Sequence, residues 1–301
     1  MRPLSLYERL APGTATVSLA GLLAGDTDVS GESAFGLSDY VDEIVTGGFP
    51  GMRGLAQKAR ERQLDSYLDR IVDHELPELG FHVRHPHTVQ AWLKAYAAAV
   101  STTASWETIR DAATPGSGDK PAKTTTRPYI ELLTQLRILD PVDAWTPSFN
   151  HLQALTQGPK HHLADPALAA RLVRLGAARL IRSQSPGLGV PRDGSYVGAL
   201  FESLVALTVR VLAQRHGARV YQLRTRQGRH EVDLIVEGDD GVVGIEVKLG
   251  AEVDNQDVVH LRWLKEQIGS DLVATAVVTT GKHAYRRKDG TAVVPLALLG
   301  P

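Results

Sequence analysis

The chain has 301 residues, with 33 lysines and arginines against 34 aspartates and glutamates, a formal net charge of −1 and no cysteine. Without thiols it can form no disulfide, no cysteine-ligated zinc site and no thiolate nucleophile. So neutral a balance argues against a surface that grips nucleic acid everywhere, though it leaves room for local basic patches.

Residues 1–84 read as a helical segment. A glycine- and serine-rich loop, Gly25 to Gly36, precedes a helix-like stretch from Ser38 to Thr46, and Gly47-Gly-Phe-Pro-Gly51 leads into a long helix over Leu55–Leu76. Tyr67, Leu68, Ile71, Val72 and Leu76 give that helix an apolar stripe. Gly-Gly-Phe-Pro invites comparison with a phosphate loop, but no Lys-Ser/Thr follows it. Gly116-Ser-Gly-Asp-Lys120 has its lysine at the wrong spacing and reads as a linker. No ATP site is expected.

Residues 85–164 hold an alanine-rich helix over Val89–Val100, a second helix opening at Ser105 as N-cap, and a third over Thr124–Leu139 with Tyr129, Ile130, Leu132, Leu133 and Leu136 on it. Ile138 to Trp145 then leaves the helix and is expected to pair with Lys160-His-His-Leu-Ala164. Three short helices followed by a ribbon make the pattern of a winged helix, whose third helix can enter a major groove. Lys120, Lys123, Arg127 and Arg137 make its approach mildly basic. The alternative is a small helical connector that touches only protein. His151, His161 and His162 are expected at a strand edge and ordinary surface positions, not as metal ligands.

Residues 165–301 carry an α/β pattern. Arg171, Arg174, Arg179 and Arg182 line a helical stretch. A second helix, Gly198 to Arg215, has an apolar stripe of Leu200, Phe201, Leu204, Val205, Leu207, Val211 and Leu212. Glu202 lies at its edge, close enough to a core to need a partner. Gln222, on a strand from Ala218 to Arg224, reads as an ordinary strand polar residue in preference to a substrate contact. Arg224, Arg226, Arg229 and His230 form a basic patch, and His283, Arg286, Arg287 and Lys288 form another.

Glu231–Glu237 and Gly244–Lys248 alternate apolar and polar residues as strands do, with Gly238-Asp-Asp-Gly241 as the turn between them. Glu246 and Lys248 share one face, and Ile245 and Val247 the other. If Glu237 pairs with Val242, Asp233 stands opposite Glu246. Carboxylates facing each other across a ladder repel. A divalent metal between them removes that cost, and oxygen ligands suit Mg²⁺ or Mn²⁺.

The order of a helix with Glu202, a strand with Asp233 and a strand with Glu246-Val-Lys248 resembles the core of the PD-(D/E)XK nuclease superfamily, from about Asp165 to the C-terminus, with Val232 in place of the proline. The resemblance implies a restriction-endonuclease-like mixed sheet flanked by helices, and metal-assisted hydrolysis of phosphodiesters. Asp233 and Glu246 would hold the metal. Lys248 would orient or deprotonate the attacking water, or stabilise transition-state charge. Glu202 would serve a second metal or its water. Arg224, Arg226, Arg229, Lys123 and Arg127 are the expected nucleic-acid contacts.

A wider set of segments points the same way. Met1-Arg-Pro-Leu-Ser-Leu, Gly-Gly-Phe-Pro, Ser66-Tyr-Leu-Asp-Arg-Ile-Val, Lys160-His-His-Leu-Ala-Asp-Pro166, Gly198-Ala-Leu-Phe-Glu202, Glu231-Val-Asp233 and Ile245-Glu-Val-Lys248 occur in this order. Together they resemble bacterial and archaeal ATP-binding proteins whose C-terminal half is called domain of unknown function 4143. In that family an AAA-type ATPase domain comes first. Here Arg2-Pro-Leu-Ser resembles its closing strand and lid, so residues 1–84 are expected to be a remnant of lid and connector. Two functions are expected: a Mg²⁺-dependent DNA endonuclease or its remnant, or a non-catalytic DNA- or protein-binding module on a degenerate nuclease fold. DNA is the expected partner, with a separate ATPase or a second copy. No apolar run approaches a membrane span and Met1–Leu6 lacks the apolar core of a signal peptide, so a cytoplasmic location is expected.

Overall fold

A computed structural model describes residues 2–26, 28–80, 86–114, 123–146, 158–182, 196–225 and 228–301. Lys120, His151, Arg226 and the Gly116–Lys120 loop lie outside the described residues, as does the side chain of Lys123. The fold is mixed α/β and divides into two compact units whose pieces alternate along the chain.

The first unit comprises Met1–Pro3, Asp42–Pro141 and Lys160–Ser203. Its longest helix is regular over Gln57–Arg70 and widens to a π-turn at Ile71–Glu75, where the Leu76 amide reaches back to the carbonyl of Ile71. Pro77 follows at once. A proline cannot donate, and its ring collides with the carbonyl four residues back, so the wider turn relieves a clash that a straight α-helix would carry. Leu64, Leu68, Ile71, Val72 and Leu76 form the buried face. Ser105 caps the helix Trp106–Ala113 by accepting from the Thr108 amide at 3.1 Å. Trp106 stacks on Trp92 and Tyr96, both from the helix Pro86–Ala98. After the helix Lys123–Gln135 the chain makes one antiparallel bridge, Leu139 to Leu163. The Asp140 amide bonds to His162 O at 2.9 Å beside it.

Gly-Gly-Phe-Pro is a packing joint of this unit. The fully buried Asp165 caps the helix Pro166–Leu172 through the Ala167 amide (2.8 Å) and also takes the Gly48 amide (2.6 Å). Gly47 sits at φ 74°, and a Cβ there would fall 2.9 Å from Ala167 Cβ, so only glycine fits.

His161 and His162 are not at ordinary surface positions: they are 1% and 3% exposed. Every residue from Lys160 to Ala170 is buried. His161 donates Nε2–H to Ala104 O at 2.7 Å and lies edge-on to Trp106, and His162 Nδ1 is 2.7 Å from Ser203 Oγ. Polar alternation on a ribbon suggests one wet face, but here both residues are buried and each ring spends one nitrogen on an internal bond.

The second unit comprises Leu4–Val41, Val142–Pro159 and Leu204–Pro301. Its strands are β1 (Val17–Ser18), β2 (Gly31–Glu32), β3 (Arg219–Arg224), β4 (Glu231–Glu237), β5 (Val242–Lys248), β6 (Leu272–Thr279), β7 (His283–Arg286), β8 (Ala292–Pro295) and β9 (Leu299–Gly300). Seven form one mixed sheet in the order β2-β7-β8-β6-β5-β4-β3, while β1 and β9 pair with each other. β3, β4 and β5 run antiparallel, whereas β5–β6 and β6–β8 are parallel. β2, from a segment expected to lack strands, closes one edge on β7. At the other edge the backbone of Gln222 bonds to Asp143 O and the Trp145 amide.

Helix Val259–Ile268 links β5 to β6, and its Leu261, Leu264 and Ile268 share a core with Ile235, Val242, Leu272 and Val277. Gly244 lies beneath it. A Cβ there would come within 3.1 Å of the Leu261 and Leu264 methyls, so the helix packs this close because residue 244 has no side chain. Among the described residues one helix, Tyr196–Arg215, is long and apolar enough to cross a membrane. Some 67% of that stretch is buried within the protein, as in a core helix.

Candidate functional site

The β4–β5 hairpin has the register Glu237↔Val242, Val236↔Val243, Ile235↔Gly244 and Leu234↔Ile245. Continued by one residue, it sets Asp233 across from Glu246. Asp233 Oδ2 accepts the Val247 amide at 2.8 Å, so this carboxylate clasps β5 where the ladder ends. By the two-residue period, Asp233, Glu246 and Lys248 share the face of Ile235 and Gly244, which is the face covered by helix Val259–Ile268. Glu246 is 5% exposed.

Lys248 is half-buried, with Nζ 3.4 Å from Asp257 Oδ1. Burial alone would lower its pKa. The carboxylates of Glu246, Asp257 and Asp233 outweigh burial, and the net shift is upward. Asp257 is held by a reciprocal turn in which it and Asp254 accept each other's amides. Lys248 is thus ion-paired with Asp257 and lies in the field of two further carboxylates.

Three further side chains border this corner, and sequence reasoning gave none of them a role in it beyond counting His230 in a basic patch. His230 stacks on Trp263 with centroids 4.2 Å apart and planes 5° apart, and His260 stands perpendicular to it at 5.6 Å. His260 is lowered in pKa by burial first and by the charge of His230 next, with Glu231 and Asp233 opposing. The signal available in sequence was the three-residue spacing of His260 and Trp263, which puts both on one helix face.

The remaining candidates are placed as follows. Glu202 belongs to the first unit, and its partner is the buried Lys160, with Nζ to Oε1 2.9 Å. Arg224 pairs with Glu231 at 3.3 Å and Arg127 with Glu131 at 2.9 Å, while Arg229 is exposed. Gln222 is fully buried and donates to Gly158 O at 3.0 Å, a structural bond. Arg171 makes a bidentate pair with Asp65, and Arg287 binds Val253 O, Asn255 and Asp289.

Among the described residues, no group of three or more His, Asp or Glu is placed to hold a metal ion. Asp233 and Glu246 offer a carboxylate pair, and the lysine's raised pKa reports their negative field. This donor set fits a hard cation that keeps water in its remaining positions, as Mg²⁺ does.

None of the curated proteins matches the chain. Two chains among solved structures match, one being protein VC1899 from Vibrio cholerae. It is 14% identical over 88% of this chain and 58% of its own length, with a TM-score of 0.27. This chain thus spans less than two thirds of that protein, and so loose a superposition says nothing of fold or activity. Residues 37–179 match the family described as Domain of unknown function (DUF8612). Asp233, Glu246, Lys248, His260 and Trp263 all fall within residues 197–299, which match the family described as Domain of unknown function (DUF4143).

Proposed function

We propose that this chain hydrolyses phosphodiester bonds of DNA with Mg²⁺ or Mn²⁺, through a PD-(D/E)XK nuclease-like core on β4 and β5. The observation that carries this reading is the sharing of one sheet face by Asp233, Glu246 and Lys248, with acid in excess. Asp233 and Glu246 would hold the metal. When bound, the metal supplies polarisation of the phosphoryl oxygen and a more acidic water. Asp233 is oriented in advance by the Val247 amide. Lys248 offers an ammonium on the same face for charge that builds on the phosphoryl oxygens. Glu202 is retained as a candidate with Lys160 as its present partner. The winged-helix-like segment with Arg127 would aid DNA binding. A separate AAA-type ATPase or a second copy of the chain is the partner that the family resemblance supports, in the cytoplasm.

A second reading, a non-catalytic DNA- or protein-binding module, draws support from the cations, since Arg224, Lys248 and Arg127 each already face an acid. Nicking assays on duplex, single-stranded and branched DNA with Mg²⁺ and then Mn²⁺ separate the two. Cleavage lost in Asp233→Ala together with bound Mn²⁺ supports the hydrolase. No cleavage on any substrate, with no metal bound at millimolar concentration, leaves the binding module.

A further inference from the structure

Three half-buried rings stand at the same corner as the carboxylates. His230 precedes Asp233 by three residues at the entry to β4, and it lies flat on Trp263 with His260 upright beside it. His260 is within electrostatic reach of Asp233, Glu231 and Lys248 as well as His230. Trp263 packs its inner edge on the core of the unit. Among the described residues, three cations around this corner are matched by acids, Arg224 with Glu231 (3.3 Å), Lys248 with Asp257 (3.4 Å) and Arg262 with Asp289 (3.5 Å), while Arg229 beside His230 is exposed.

That combination of rings and matched cations favours one form of nucleic acid over another. A duplex hides its bases and is held chiefly by lysines and arginines that neutralise phosphates. A single strand offers each base as a flat face, and aromatic side chains bind it by stacking with little need for free cations. A corner with three rings, with Arg224, Lys248 and Arg262 facing acids and Arg229 exposed beside them, suits the second.

We infer that the His230–His260–Trp263 corner seats an unpaired nucleobase, so that the substrate class of the adjoining site is single-stranded or frayed nucleic acid. The inference rests on the hydrolytic reading for the role of substrate, but not for the binding itself.

The test is fluorescence anisotropy in EDTA, where no metal-dependent cleavage occurs. The probes are a short labelled thymidine oligonucleotide, its uridine counterpart and a duplex of equal length. A single strand of either sugar should bind more tightly than the duplex. His230→Ala should weaken that binding about tenfold without changing the slope of log affinity against log salt, because stacking releases no counterions. His230→Phe should retain it. Trp263→Leu provides a second loss-of-ring variant if His230→Ala fails to fold. Tighter duplex binding, no binding of either form, unchanged affinity in the variants, or a loss accompanied by a shallower salt slope would each overturn the inference. Single-strand binding without metal-dependent cleavage keeps it and removes the hydrolase. Cleavage of duplex indifferent to His230 does the reverse.

Discussion

Each unit holds a cluster of charged and polar side chains, and the two clusters differ in kind. In the helical unit, Lys160 faces Glu202, His162 meets the Ser203 hydroxyl, and Asp165 takes the Gly48 and Ala167 amides. Lys160 and Glu202 neutralise each other, Asp165 is held by two amides, and Lys160, His162 and Asp165 are shut off from water. In the sheet unit, Asp257 pairs with Lys248 and Glu246 and Asp233 add to the negative field on it, while its side chain remains 39% exposed. Burial raises the cost of an unmatched charge, so each charge in a closed cluster must be paired or hydrogen-bonded. A half-open cluster with surplus acid is stable enough to fold and still gains from an added cation.

Substitutions can break this contrast. The largest effect is expected for Lys160→Ala, which strands Glu202 beside the core. It should cost about 3–5 kcal/mol in urea unfolding, and a loss below about 1 kcal/mol would mean that water relieves the acid. Lys248→Ala should instead slow cleavage about 10²–10³-fold in single-turnover assays, with Mn²⁺ and DNA binding nearly unchanged. Equal loss of binding and rate would show that the lysine grips the ground state.

The third expectation concerns pH. Burial holds the pKa of His161 below its ordinary 6.5, opposed by its bond to Ala104 O. The unfolded chain takes up that proton first on acidification. Its contribution to stability is therefore full above pH 6.5 and is lost as pH falls from there toward the folded value. Urea midpoints above and below pH 6.5 should diverge in the native chain and converge partly in His161→Gln. The smallest effect sharpens the comparison from the other side. Glu246→Gln should change stability by at most about 1 kcal/mol, because relief of the repulsion from Asp233 is offset by lost attraction to Lys248. Calorimetry should show weaker Mn²⁺ binding in the same variant.

The parts of this molecule that follow from local rules were legible in the sequence. The turn at Gly238–Gly241 pins Glu237 to Val242, and counting from there places Asp233 and Glu246. Ser105 as a cap and the stripe through Leu68, Ile71, Val72 and Leu76 likewise depend on near neighbours. What was hidden depends on distant ones. β1 and β2 are two residues each, too short for any alternation to register. The ribbon at His161 and His162 shows its burial only once helices cover both faces. His230 and Trp263 meet only after the crossover helix folds back over β4 and β5, so no spacing announces their stack.

The pairing of Val17 with Leu299 has a consequence for how the chain comes to be folded. β1 and β2 can find no partners until β9 and β7 have been made, and the Leu6 amide waits on the Thr208 hydroxyl. During synthesis from the N-terminus, this early segment must remain unpaired for most of the time that the ribosome is at work. Closing so long a loop is slow, and exposed strand edges meanwhile invite wrong partners. A fragment cut to residues 197–299 would lack β1, β2 and the Asp143–Trp145 cover of β3, leaving both sheet edges open to aggregation.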